Sequence, residues 1–326
     1  MKKQIISSLI LAGSLVAAVS AHAEEKQTAN TSSVKVTDVQ KKDETVPGDL
    51  DQEITNAKMR AESGSKSKWS ISTSLNYNGG NLETPFSAKR PNYAGVSTQD
   101  TSTSMSADIA VALRLTSRDQ LRLGTGVTVK TPFQNTYEES TNQNGARKAA
   151  ASAPYVSWGR SFRAWNLQQS IGATGSYETN PSYTDAGYIG TGSVDYTILG
   201  EIPNSNWQPG FAVTIAYTAF SDGALASDTA SNTEMGRSDY SIGLYPFIEY
   251  AFNDRYSFRT VFRPANFDHY RNDSGDTFYH NMWTQSVGVG IAVTRDIYLY
   301  PNFQFAPEYV QADTTNVGMS ATINVF

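Results

Sequence analysis

The feature that most constrains this sequence is a strict alternation between apolar and polar or small residues from Thr101 to Lys130. The apolar positions are Met105, Ala107, Ile109, Val111, Leu113 and Leu115, and, after a polar turn, Leu121, Leu123, Thr125, Val127 and Val129. A period of two residues indicates β-strands, and the short turn between the two runs predicts a hairpin. Both runs exceed the usual strand length of about 5–6 residues, so their apolar face covers either a second sheet or lipid.

The rest of the chain decides between these alternatives. Alternating segments recur from Lys68 to the end, about twelve in all, and their connections are alternately long and short. One predicted short turn is Ser161 to Ala164. Short turns at one end and long loops at the other are typical of membrane barrels, and an even strand count closes the sheet without a free edge. We therefore predict an all-β fold, a transmembrane antiparallel up-and-down β-barrel of about twelve strands, over residues 67–326.

Aromatic residues are sorted toward the two ends of these strands. Those beside the short connections are Trp69, Trp165, Trp207, Phe252 and Tyr256, and those beside the long loops are Tyr77, Tyr177, Tyr188, Tyr217, Phe220, Tyr240 and Trp283. Two aromatic girdles are expected where a barrel crosses the two membrane interfaces. A soluble sandwich would not sort its aromatic residues in this way.

Residues 1–23 are predicted to be a cleaved secretory signal. The segment has Lys2 and Lys3 at its start, an apolar run from Ile5 to Val19, and the cleavage motif Ala21-His22-Ala23. The mature protein is then expected to begin at Glu24 and to be exported. No cysteine follows this site, which excludes a lipoprotein anchor.

Residues 24–66 are predicted to be a periplasmic linker. Within it, residues 49–63 have the pattern of a short helix, with Asp49 and Gln52 spaced as a capping box and Gly64 as a stop. An isolated helix of this length is barely stable in water. It either enters the barrel as a plug or lies outside it in the periplasm, and the sequence leaves both alternatives open.

Composition excludes several classes of function. The formal net charge of −5 argues against a nucleic-acid partner, and the absence of cysteine rules out disulfides, thiolate nucleophiles and cysteine-metal sites. After the N-terminus there is no apolar run of about 18 residues, so no transmembrane helix is expected.

These features together resemble the outer-membrane β-barrel proteins of Gram-negative bacteria. The resemblance covers residues 69–326, and the terminal Phe326 is similar to the last residue of their assembly signal. The positions two, four and six residues before Phe326 are polar here (Asn324, Thr322 and Ser320), which departs from that family's pattern. The stretch from Glu53 to Ser70 also resembles predicted outer-membrane proteins of predatory bacteria. The resemblance implies an outer-membrane location with both barrel termini in the periplasm, contact with lipid and lipopolysaccharide, and insertion by the barrel-assembly machinery.

Charged residues on the predicted inward face are the candidate functional residues. The pore-lining set is Arg114, Arg122, Lys130, Arg160, Arg259, Arg263, Glu249, Asp108 and Asp195. Arg114, Arg122 and Arg160 are expected to cluster near the periplasmic mouth. A symmetric turn at residues 253–255 would place Glu249 opposite Arg259, close enough to pair. Twelve-stranded porins for acidic oligosaccharides resemble this chain in strand count and lumen arginines.

The first hypothesis for function is a porin-like channel for passive diffusion of small hydrophilic solutes, with a basic lumen that favours anions. The alternative is a filled barrel, without an open pore, that structures the membrane or presents its loops. A barrel of this size lies between filled eight-stranded barrels and open sixteen-stranded ones, so the strand count leaves both open. Oligomeric state does not follow from the sequence.

The third hypothesis, an outer-membrane enzyme, has little support. Only His269 and His280 are available in the barrel as general bases, and adjacent side chains such as Asp268 and His269 point apart on an extended chain. The turn Asn272 to Asp276 offers oxygen ligands but lacks the spacing of a calcium loop. We therefore predict no catalytic residues, no metal site and no cofactor.

Overall fold

The computed structural model describes residues 49–134, 148–185, 187–221, 238–270 and 277–326. The expected signal sequence, residues 24–48 and the turn Asn272 to Asp276 lie outside these ranges. No helix in the described ranges is both long and apolar enough to cross a membrane.

Twelve antiparallel strands form the body of the protein, and three of them are interrupted. They are β1 (Trp69–Asn81), β2 (Ser104–Arg114), β3 (Asp119–Lys130), β4 (Ala149–Ala151 and Tyr155–Ala164), β5 (Leu167–Tyr177), β6 (Tyr188–Leu199), β7 (Trp207–Phe220), β8 (Ser238–Ala251), β9 (Tyr256–Arg263 and Ala265–Tyr270), β10 (Thr277–His280 and Thr284–Ala292), β11 (Ile297–Phe305) and β12 (Asn316–Val325). Each strand pairs with its neighbours in sequence, and β1 also pairs with β12. The ring is therefore closed, which confirms the predicted fold class.

The two-residue turn between β4 and β5 corrects one predicted turn. Strand β4 continues through Ala164, and the turn consists of Trp165 and Asn166, with φ of 53° and 60°. Positive φ at both positions is the conformation of the tight hairpin turns that match strand twist. The prediction of a turn at Ser161 to Ala164 was wrong because the alternating pattern does not mark where a strand stops.

The two faces of the strands differ as the alternation predicts. In β2 and β3, Val111 and Leu123 are 54% and 63% exposed on the outside, whereas Ala110 and Ala112 are 3% and 2% exposed on the inside. Outward aromatic side chains at the short-turn end include Trp69, which is largely exposed. An apolar outer surface on a closed ring of hydrogen-bonded strands is the arrangement of a transmembrane barrel.

The segment before β1 folds into two short helices, α1 (Leu50–Glu53) and α2 (Ala57–Glu62), rather than one helix over residues 49–63. Extended backbone at Ile54 and Asn56 separates them, and the Asn56 side chain accepts a hydrogen bond from the Met59 N–H as the N-cap of α2. Gly64, with φ of 79°, follows the end of α2 as a left-handed stop. A third short helix, α3 (Pro181–Thr184), lies in the β5–β6 loop.

Candidate functional site: the barrel lumen

Helices α1 and α2 lie inside the short-turn end of the barrel. Their apolar side chains Leu50, Ile54 and Met59 form a buried cluster with the inward-facing Leu199 and Phe247. This small core contacts β6 and β8, which both pair with β7, while Ala61 of α2 contacts Tyr298 and Tyr300 of β11. The two sets of contacts position the helical segment across the lumen.

Asn56 is the polar anchor of this segment. Its backbone N–H donates to Gln168 Oε1 at 2.9 Å, and its side-chain Nδ2 donates to Gln208 Oε1 at 2.9 Å and to Glu249 Oε2 at 3.2 Å. The three acceptors belong to β5, β7 and β8. One buried asparagine thus satisfies polar groups from three strands, as burial of polar atoms requires.

Arginines close to the short turns hold the rest of the segment. Arg295 pairs with Asp51 at 2.9 Å, and Arg163 donates from Nε to the Glu53 carbonyl oxygen at 2.7 Å. Arg118 pairs with the Glu53 carboxylate. These contacts were not predicted from the sequence, although each arginine lies in or within two residues of a short turn, which is the signal that could have indicated them.

The acidic groups of this region are stabilised in their charged form. Burial opposes ionisation of Asp51, but hydrogen bonds and charge from Arg295 and Lys66 outweigh it, so the pKa of Asp51 lies below its ordinary value. Glu201, in the β6–β7 turn, behaves in the same way. Burial raises its pKa, but the hydrogen bonds from Arg163 and Thr55 outweigh burial, so the pKa of Glu201 lies below its ordinary value. The ionised forms of both carboxylates therefore stabilise the helical segment in its position inside the barrel.

Two arginines of the predicted lumen set contact this segment. Arg114 donates to the carbonyl oxygens of Ser65 at 2.6 Å, Gly64 at 3.0 Å and Ser63 at 3.1 Å. Arg122 donates to the Glu62 carbonyl oxygen at 2.6 Å. The guanidinium of Arg114 is thus occupied by backbone groups, whereas Arg122 makes a single hydrogen bond to the segment.

Arg259 and Glu249 form the pair that the symmetric turn predicts. They are opposite in strand register and 2.8 Å apart, with both side chains buried. The Arg259 guanidinium also lies 4.2 Å from the centre of the Phe247 ring. This charge is enclosed by protein groups on the inner wall of β8 and β9.

Arg160 is placed differently from the prediction. Arg160 lies at the same end of the barrel as Arg114 and Arg122, but in strand register it is opposite Asp119 of β3 and Ile171 of β5. This position is on the outward face of β4, the face that carries Val156. Its guanidinium is 3.5 Å from the Asp119 carboxylate. The expected inward cluster of Arg114, Arg122 and Arg160 therefore does not form as a set of three.

The remaining predicted residues are spread through the lumen. Asp195 accepts a hydrogen bond from Thr214 Oγ1 at 2.6 Å, and Arg263 donates to Ser286 Oγ at 3.4 Å. Asp108 is exposed to the lumen opposite Gly126, and Lys130 ends β3 at the long-loop side. These four residues do not form one cluster.

A cavity of about 360 Å³ lies between α2 and the inner wall of β3–β6. This wall is built from small residues, among them Ser157, Gly159, Ser170, Gly172 and Thr174. Charged residues that line the cavity include Lys58, Glu62, Arg118, Arg122 and Asp195. The lumen therefore retains polar space beside the helical segment.

The loop between β1 and β2 covers part of the opposite mouth. It contains a small two-stranded ribbon, Lys89–Arg90 paired with Thr101–Ser102. Arg90 donates to Gln304 Oε1 at 2.7 Å, and Asn316 donates to the Pro91 carbonyl oxygen at 2.8 Å. Gln304 and Asn316 are inward-facing residues of β11 and β12, so the loop narrows the mouth on that side.

The two histidines in the described ranges are held in local contacts. His269 pairs with Asp239, and His280 Nε2 lies 2.7 Å from the Pro264 carbonyl oxygen. Asp268 accepts from Asn281 at 2.7 Å rather than from His269. Within the described ranges, no group of three or more His, Cys, Asp or Glu residues is arranged to hold a metal ion.

No protein-family model and no curated protein matches this sequence. Among solved structures, the chain is similar to an outer-membrane channel from Pseudomonas putida F1, with 9% identity and a TM-score of 0.48 over 81% of this chain and 98% of that one. It is also similar to OmpF of Salmonella typhi in complex with daunomycin, with 7% identity and a TM-score of 0.34 over 79% of this chain and 97% of that one. The assignment of the fold depends on the closed ring of strands and its apolar outer surface.

Proposed function

We propose that this protein is an outer-membrane channel for passive diffusion of small hydrophilic solutes, with no chemical step. The observation that carries the proposal is the polar cavity of about 360 Å³ between α2 and the wall of β3–β6. On the other side of the lumen, Ala61 of the helical segment packs against Tyr298 and Tyr300 of β11. Solutes would pass along the wall of small residues.

The charge of this passage supports a preference for anions. Four basic residues line it, Lys58, Arg118, Arg122 and Arg160, against two acidic ones, Glu62 and Asp195, so the net charge of the lining is positive. Basic groups along a narrow pore raise the local concentration of anions. A reversal potential that leans toward anions under a salt gradient is the expected result.

The proposal includes the location of the protein. Residues 1–23 would direct export, the short turns and both barrel termini would face the periplasm, and the long loops would face outward. Lipid, lipopolysaccharide and the barrel-assembly machinery would be its partners in the membrane. Recovery in the outer-membrane fraction, with Glu24 as the first residue, is the expected outcome.

The test is single-channel conductance of the refolded mature protein in planar bilayers. Gly172 faces the cavity, and a side chain there would first meet the Trp158 carbonyl oxygen at 3.7 Å, so Gly172→Phe should fold and lower conductance about twofold or more. The matched control is Gly192→Phe. Gly192 has nothing within 4 Å of an added Cβ and shares the outer face with Val194, so this change should leave conductance unaltered.

The second candidate, a filled structural barrel, is favoured by one observation. The helical segment makes buried polar and apolar contacts across the short-turn end of the lumen. Stable conductance steps that respond to Gly172→Phe would exclude this candidate. Silence from a correctly folded barrel would support it and contradict the channel.

A further inference from the structure

Two charges in the cavity have no ion partner among the described residues. The Arg122 guanidinium donates to one backbone carbonyl, that of Glu62, and the Asp195 carboxylate accepts from the hydroxyl of Thr214. The other charged residues that line the cavity are in ion pairs: Lys58 with Glu62, Arg118 with Glu53, and Arg160 with Asp119. Within the described ranges, the cavity therefore has one cation and one anion without an ion partner.

Strand register separates these two groups across the wall. Arg122 of β3 is opposite Ser157 of β4, which is opposite Thr174 of β5 and then Ser193 of β6, two residues from Asp195. Three strand spacings amount to about 14 Å along the sheet. The backbones of the two residues are therefore too far apart for their side chains to form a direct ion pair. Both side chains nevertheless border the same cavity.

Hydroxyl groups occupy the wall between them. Ser157, Ser170, Thr174 and Thr197 all line the cavity, and each can donate or accept a hydrogen bond. A solute with one charge would satisfy either Arg122 or Asp195 and would be repelled by the other. A solute that carries both charges would satisfy both groups at once.

We propose that Arg122 and Asp195 form a subsite for small zwitterionic solutes, with the solute carboxylate at Arg122 and its ammonium group at Asp195. This proposal rests on the proposed channel function, because solutes must reach the cavity through the lumen. It narrows the solute class from small hydrophilic compounds in general to amphoteric ones.

The experiment measures how glycylglycine, acetate and methylammonium reduce the potassium chloride current of single channels. Glycylglycine should block at lower concentration than either singly charged probe. Arg122→Gln and Asp195→Asn should each weaken its block about tenfold, the effect of losing one hydrogen-bonded charge contact. Acetate should respond to Arg122→Gln alone, and methylammonium to Asp195→Asn alone.

The matched controls are Arg255→Gln and Asp254→Asn in the exposed β8–β9 turn, which remove the same charges outside the lumen and should change no block. Block by glycylglycine that is unaffected by Asp195→Asn, or strengthened by it, would overturn the proposal in favour of a simple anion site. If the wild-type protein carries no current, the channel function fails. Calorimetric titration of glycylglycine into the refolded protein in detergent then tests whether the subsite binds the zwitterion. Equal binding heat in the wild type, Arg122→Gln and Asp195→Asn would overturn the proposed subsite.

Discussion

Arg259 illustrates how a single residue places a charge inside the barrel wall. It is enclosed by the Glu249 carboxylate at 2.8 Å and the Phe247 ring at 4.2 Å. Glu249 in turn accepts from Asn56, so the ion pair connects the wall to the helical segment. Both charges of the pair are thus occupied by contacts within the protein.

Removal of one partner should therefore destabilise the protein strongly. Glu249→Ala would leave the Arg259 charge buried and unpaired, at a cost of about 3–5 kcal/mol in the free energy of unfolding. Urea unfolding of the refolded protein in lipid measures this. The double change Glu249→Leu with Arg259→Met should lie close to wild type, and Asp254→Ala in the exposed turn should change stability by less than about 0.5 kcal/mol. Equal effects of Glu249→Ala and the turn variant would contradict the assigned role.

At the scale of elements, the segment 49–66 owes its structure to the barrel. Its helices have four and six residues, too few to be stable alone in water. Hydrogen bonds to the backbone of the segment come from Arg114, Arg163 and Gln120 of the surrounding strands. The segment is therefore held mainly by polar and ionic contacts, and these depend on the charge of its partners.

These contacts predict that the stability of the segment inside the barrel depends on pH. The pKa of Asp51 in the folded protein lies below its ordinary value of 3.8, so its pairing with Arg295 and Lys66 is complete above that value and is lost as pH falls through the lower folded value. Glu201, lowered from 4.5, acts in the same direction. We expect cleavage of the segment by pepsin to accelerate below about pH 4.

The variant Asp51→Asn separates this effect from general acid unfolding. It removes the titrating group while keeping its shape, so the variant should be cleaved faster at pH 5 and should lose part of the acceleration on acidification. Identical pH profiles for the variant and the wild type would show that Asp51 does not anchor the segment.

At the scale of the whole molecule, the barrel has two unlike inner walls. The wall of β3–β6 carries Gly, Ser and Thr, whereas the wall of β8–β11 carries Tyr245, Phe247, Arg259, Tyr298 and Tyr300. The helical segment packs against the bulky side, where Ala61 contacts Tyr298 and Tyr300. The asymmetry keeps the cavity on the opposite side.

The barrel ring does not depend on the segment for its own hydrogen bonds, because every strand pairs with two other strands. Deletion of residues 49–66 should therefore leave a folded barrel and raise conductance several-fold by widening the lumen. Heat-modifiable gel mobility verifies folding, and deletion of residues 24–48 alone is the control. Unchanged conductance in the folded deletion variant would mean that the segment does not restrict the path.

The sequence by itself determined the properties that depend on local pattern. Alternation along each strand and the order of long and short connections gave the closed barrel and its outward apolar face, because side chains alternate across a strand with a period of two. The pairing of Glu249 with Arg259 was also predictable, since a tight turn fixes the register of the strands beside it.

Only the tertiary structure decided the content of the lumen. Asn56 meets Gln168 and Glu249, which are 112 and 193 residues away, and no local pattern encodes such contacts. Arg160 lies opposite Asp119 on the face that carries Val156 outward, and its pairing with this neighbouring strand depends on register. The alternation of residues therefore specified the wall of the barrel, whereas long-range packing specified what fills the lumen and where space remains.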